Sequence, residues 1–142
     1  MGMINWTCIT TWRRASVNTA WCLLGCAAGD LGTIAYFQLT ETPFPVWGIM
    51  ALAMVNGILA SIALETAILA RYQPLTQAFR TAVGMSLISM VAMEMAMNGV
   101  DLAIVGTARL TPSVIPLMLL AGFLAPLPYN YWRLRALGKA CH

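Results

Sequence analysis

Four of the five acidic residues, Asp30, Glu65, Glu94 and Asp101, lie inside long apolar stretches, and only Glu41 falls between two of them. No Lys, Arg or His lies well inside those stretches. In hydrocarbon an ionised carboxylate costs about 2.5 to 3.5 kcal/mol, so each acid must be protonated, hydrogen-bonded, hydrated or paired with a bound cation. Glu65 stands close to Arg71 in sequence and can reach one interface, while Asp101 lies close enough to the opposite interface to be hydrated there. Asp30 and Glu94 have no such recourse. They are the acids whose type and position point most directly to proton or cation chemistry.

Helical spacing sorts these residues into stripes, because positions three, four and seven apart share a face. Met90, Glu94, Met97, Asn98 and Asp101 fall on one side of a helix. Cys22, Cys26 and Asp30 form a second stripe, with Gly25 and Gly29 beside it as a small-xxx-small pair that lets another helix approach closely. If the stripes face each other, sulfur and oxygen ligands line one seam. Thiolates and thioethers suit soft ions such as copper, whereas carboxylates suit harder ions or protons. The same residues also fit plain packing, since Met fills irregular gaps and buried Cys behaves as a small hydrophobe. A disulfide between Cys22 and Cys26, one helical turn apart, would distort the backbone.

The elements that must position these residues follow from hydropathy. The chain has 142 residues, 60% hydrophobic and 9% charged, which is more apolar surface than one small domain can hide from water. Stretches 16–37, 47–70, 81–105 and 113–132 each reach the roughly 20 residues a membrane-spanning helix needs. The sequence therefore predicts an all-α integral membrane bundle of four transmembrane helices over 16–139, with a segment 1–15 before it and a tail 140–142 after it. Short connections make consecutive helices antiparallel neighbours. The opening segment lacks the order of charge, apolar core and cleavage site expected of a secretory signal.

Seven of the eight basic residues fall on one side: Arg13, Arg14, Arg71, Arg80, Arg133, Arg135 and Lys139, against Arg109 alone on the other. This bias predicts both termini in the cytoplasm and the inner (plasma) membrane as the location. Trp12, Trp21, Trp47, Tyr129, Tyr131 and Trp132 suit interfacial belts. No basic run interleaved with aromatics suggests nucleic-acid binding. Cys8, Cys141 and His142 all fall on the cytoplasmic side, where thiols are kept reduced, and read as tail residues or as an ion hand-over set. No nucleophile elbow, phosphate loop or metalloprotease helix motif is present, which makes an enzyme the minor reading.

A weak internal repeat offsets by 71 residues, setting Asp30-Leu31 against Asp101-Leu102 and Cys22 and Cys26 against Met93 and Met97. Gly57, Leu59, Ala60 and Glu65 similarly match Gly122, Leu124, Ala125 and Asn130. Two parallel hairpin repeats would fit transporter architecture.

The stretches MSLISMVAMEMAMNGVD (85–101), GCAAGD (25–30), LET (64–66) and PYNYWRLRALGK (128–139) resemble the small prokaryotic membrane family catalogued as domain of unknown function 4396. The resemblance spans residues 16–139 and implies the four-helix fold but no activity. It marks Cys22, Cys26, Asp30, Glu65, Glu94, Asn98 and Asp101 as positions to test. Family members tend to be richer in histidine ahead of the first Cys, where this chain has Trp21.

The reading that follows is a multi-pass protein that binds or moves a cation, a soft metal ion or a proton, through Cys22, Cys26, Asp30, Met90, Glu94, Met97, Asn98 and Asp101. Its partners are the lipid bilayer and either a second copy, docked through the glycines of the first helix, or a larger membrane complex. The alternative is a structural or assembly subunit of such a complex. A membrane oxidoreductase using Cys22 and Cys26 lacks a cofactor motif.

Overall fold

The computed structural model describes residues 5–107 and 109–136, which form five helices and no strand. They are α1 (Ile9–Thr40), α2 (Val46–Leu69), α3 (Leu75–Ile104), α4 (Ile115–Leu124) and α5 (Leu127–Ala136). Three stretches, α1, α2 and Ser86–Ile104 of α3, are long and apolar enough to cross a membrane, which suggests a membrane protein. Large apolar side chains such as Leu24, Leu59 and Ile88 are more than half exposed and stand where lipid would cover them.

α1 and α3 begin earlier than hydropathy predicts, at Ile9 rather than 16 and at Leu75 rather than 81. Hydropathy locates the apolar part of a helix, but polar first turns containing Arg13, Arg14 or Arg80 are equally good helix formers. Pro45 and Pro74 stand at the N-caps of α2 and α3 with extended ψ, positions where a missing amide hydrogen costs nothing.

The expected single span 113–132 is two ten-residue helices, α4 and α5, interrupted at Ala125–Pro126. Neither alone reaches across a bilayer. Pro126 and Pro128 lack amide hydrogens, so the carbonyls of Gly122 and Leu124 lose the donors that a continuous helix would supply. The sequence carries that signal in APLP.

The most extensive interface joins α1 to α2, followed by α2 with α3 and α3 with α4, while α5 returns to α1. Gly25 and Gly29 make the first of these possible. A Cβ on Gly25 would lie 2.5 Å from Ser61 Cα, and one on Gly29 would strike the backbone carbonyl of Asn56. The surface expected to serve a second copy is thus covered by α2 of the same chain. Interhelical hydrogen bonds reinforce it: Ser61 Oγ donates to the Cys22 carbonyl at 3.1 Å and Asn56 Nδ2 to Thr33 Oγ1 at 2.8 Å.

Tyr131 is fully buried, not part of an interfacial belt. It packs on Ala15 and Leu134, stacks on Trp6 at 5.0 Å and meets Trp12 at 4.3 Å. Its hydroxyl donates to the Asn5 carbonyl, and Trp12 Nε1 donates to the Trp6 carbonyl at 2.7 Å. This cluster ties α5 to the start of α1.

Candidate functional site

The two stripes do face each other. Cys22 and Cys26 from α1 share one buried cluster with Met90, Met93 and Met97 from α3 and Met118 from α4. Beside the sulfur atoms lies a polar seam. Asp30, Glu94 and Asp101 are fully buried and Asn98 nearly so. Asn98 Nδ2 donates to Asp30 Oδ1 at 3.2 Å, to the Glu94 carbonyl at 3.0 Å and to Glu94 Oε2 at 3.4 Å. One amide therefore bridges acids from two helices. Asp30 Oδ2, Glu94 Oε1, Asn98 Oδ1 and both Asp101 oxygens are buried without a hydrogen-bond partner among the described residues. Asp101, expected to be hydrated near an interface, has no exposed area here, and the backbone amide of Arg109 acts on its carboxylate.

Space for Glu94 comes from α2. A Cβ on Gly57 would collide with Glu94 Oε1 and approach the Cys26 carbonyl to 2.9 Å. The carboxylate consequently rests on bare backbone, with the Cys26 thiol in interaction range. Neither Gly57 nor Ser61 stands out from sequence as part of the seam, although the G-x-x-x-S spacing on α2 complements G-x-x-x-G on α1.

Glu65 is half-buried nearer the other end of the seam. It accepts a hydrogen bond from Ser86 Oγ at 2.8 Å, and Cys22 Sγ lies 3.9 Å from its Oε2. The basic residue that acts on it is Arg133 of α5, whose charge also reaches Cys22, not the sequence neighbour Arg71. Arg133 Nε and Nη1 are buried without a hydrogen-bond partner among the described residues. Counting Arg133 only as an interfacial charge misses this, because the helix break at Pro126 decides where it goes. A small cavity of about 80 Å³ opens beside Glu65 and Cys22, lined also by Asn18, Trp21, Ile68 and Leu69.

The weak repeat has a counterpart in packing. A Cβ on Gly57 would run into Glu94 and the Cys26 carbonyl, and one on Gly122 would lie 2.7 Å from Met97 Cγ and 3.1 Å from Leu23 Cδ1. The 71-residue offset converts Cys26 into Met97 and Leu23 into Glu94, so the hairpins exchange contacts as a two-fold relation between them requires. Glu94 breaks the symmetry, because its counterpart is Leu23.

Among the described residues no group of three His, Cys, Asp or Glu side chains is placed to hold a metal ion. Cys22 and Cys26 are buried free thiols, consistent with the poor geometry for a bridge one turn apart. Met95 points outward and is 62% exposed. Cys8 is disulfide-bonded, and Cys141 and His142 lie outside the described residues, so the described part of the tail supplies no ligand set.

No curated protein and no solved structure matches the chain. A family model does match, over residues 11–139, starting five residues upstream of the stretch covered by the sequence resemblance and inside the first turns of α1. With that match covering most of its length, the chain belongs to the family of the domain of unknown function DUF4396.

Proposed function

We propose that this chain is a four-span membrane protein that binds and moves a cation along the seam between α1, α2 and α3, and that the cation is a proton. The observation that carries this reading is the burial of Asp30, Glu94 and Asp101, with partnerless oxygens and, among the described residues, no basic side chain at ion-pair distance. Such acids are expensive in a membrane interior and characteristic of proton relays. From Ser86, which serves Glu65, to Asp101, the row runs along about 22 Å of α3, roughly three quarters of a hydrocarbon core. Hydroxyl, thiol, amide and carboxyl groups follow one another along it. The fourth span is α4 and α5 together, with the break beside the bundle.

The test is direct. Purified protein in vesicles containing a pH-sensitive dye should dissipate an imposed pH gradient faster than empty vesicles, with the current carried by protons when other cations are exchanged. Vesicles no leakier than protein-free controls would overturn the proposal.

A soft metal is the second reading, favoured by the two free thiols beside Glu65 and Glu94 and the Met90, Met93 and Met97 thioethers around them. It predicts that protein titrated with Cu(I) retains the ion and that the Cys22→Ser, Cys26→Ser double variant retains less than half as much. Wild-type protein that emerges metal-free from gentle purification and titration would eliminate this reading.

On the charge bias, both termini are cytoplasmic and the membrane is the inner one. A reporter fused after His142 tests this orientation: cytoplasmic activity is expected, with tags near Thr42 or Arg109 external. Export of the C-terminal reporter would invert the topology and leave the seam unchanged.

A further inference from the structure

The seam does not account for a groove of about 510 Å³ between the first turns of α1 and the end of α5. Thr10, Arg13, Arg14, Val17 and Asn18, all on one face of α1, line it together with Leu134 of α5. Two guanidinium groups, a hydroxyl and an amide thus share a hollow whose walls are otherwise aliphatic, and no acid is among the described residues lining it. This combination of fixed positive charge with an apolar wall suits an anionic amphiphile better than a free ion or an apolar chain.

The depth of the groove points the same way. From Arg13 to Glu41, where α1 ends, the helix rises about 42 Å, which matches the roughly 40 to 45 Å between the outer limits of the two headgroup layers. Trp6, Trp12 and Tyr131, stacked against one another at the same end, fix that level, because the first two carry the amphipathic rings that settle at interfaces. The arginines therefore lie where lipid phosphates lie, and Val17 and Leu134 lie on the acyl side of them. The aromatic cluster also holds α5 against α1, so the groove is built by the fold.

We infer that this groove is a binding site for the phosphodiester headgroup of an anionic phospholipid, with Arg13 and Arg14 on the phosphate, Thr10 and Asn18 as neutral hydrogen-bonding groups and Val17 and Leu134 against the glycerol and first methylenes. The inference needs the helices to sit in a bilayer but does not depend on proton movement through the seam. Headgroup capture at an intramembrane basic pocket follows the same electrostatics as other juxtamembrane arginine clusters.

The test uses the full chain purified in a neutral maltoside detergent and native mass spectrometry, titrating phosphatidylglycerol, phosphatidylcholine or inorganic phosphate. Wild-type protein should retain phosphatidylglycerol in preference to phosphatidylcholine, and millimolar phosphate should not displace it. The Arg13→Gln, Arg14→Gln double variant should bind phosphatidylglycerol about thirty-fold more weakly, as expected for two basic groups at a charged surface. Val17→Trp keeps both charges but fills the apolar wall, and it should also lose the lipid; it decides the matter should the double variant fail to fold. Equal retention of the two lipids, full displacement by phosphate, or undiminished binding in Val17→Trp or in a folded double variant would each overturn the inference.

Discussion

Glu94→Gln is expected to reduce proton movement through reconstituted protein by about a hundredfold or more, the scale on which a positioned proton-transfer group contributes, while leaving the helices inserted and folded. Gln reproduces the shape of Glu and can still accept from Asn98 Nδ2, but it cannot take up and release a proton. Its amide would also fit over Gly57, where the open backbone already receives Glu94 Oε1. If Glu94 served only to hold helices together, the balance would differ. Gln would then be tolerated in every assay, and Glu94→Leu would be the damaging change, because a branched apolar end fits less well over Gly57, at roughly 1 to 3 kcal/mol. Thermal stability and vesicle flux measured on both variants separate a relay from a structural or assembly subunit. A Glu94→Gln protein with unchanged flux would remove Glu94 from the relay.

The buried stripes are legible in the sequence because they rest on period alone: Cys22, Cys26 and Asp30 repeat every four residues, and Met90, Glu94, Met97, Asn98 and Asp101 keep one helical face. In a membrane helix, acids and small residues turn toward protein, so a polar stripe predicts which faces meet. What period cannot provide is the partner on the third helix. Gly57 and Ser61 look like ordinary small residues of an apolar span until α1 presses on them. The fate of Arg133 is harder still to read, because it depends on the direction α5 takes after Pro126, a tertiary matter that charge counting ignores. Tyr131 fails for the same reason: an aromatic near a helix end reads as an interfacial anchor unless the chain folds back over it.

The repeat gives the seam its asymmetry. By the 71-residue offset the counterpart of Glu94 is Leu23, so the first hairpin carries no acid at that position. Glu94 is therefore peculiar to the second hairpin, and Asn98 links it to Asp30 of the first. A relay needs such a sequence of unequal groups, since a proton held equally by two adjacent carboxylates has no preferred next position. Gly122, beneath Leu23 and Met97, keeps the second hairpin as close as Gly57 keeps the first, so the two halves share packing and differ in chemistry.

The close crossing of α1 and α2 is the structural condition for all of this, and Gly29 is where it is most exposed to a single change. In Gly29→Ala the new methyl group would strike the carbonyl oxygen of Asn56 and crowd Gly57 Cα at 2.7 Å. These are backbone atoms, which cannot swing aside as a side chain would, so the helices must separate. Overpacking of this kind costs about 1 to 3 kcal/mol, and a backbone obstacle places the variant near the upper end. Separation would also disturb the Asn56 to Thr33 hydrogen bond and draw Gly57 away from Glu94, so flux should fall together with stability. Gly32→Ala is the control one turn away. Nothing lies within 4 Å of the Cβ it would add, and replacing a helical glycine there should leave the protein unchanged or more stable by roughly 0.5 to 1 kcal/mol. Thermal melting of the two variants in the same detergent should therefore move in opposite directions, with Gly29→Ala melting several degrees below wild type. If Gly29→Ala melts as high as Gly32→Ala, α1 and α2 do not cross at Gly29, and the seat that Gly57 provides for Glu94 is lost with that crossing.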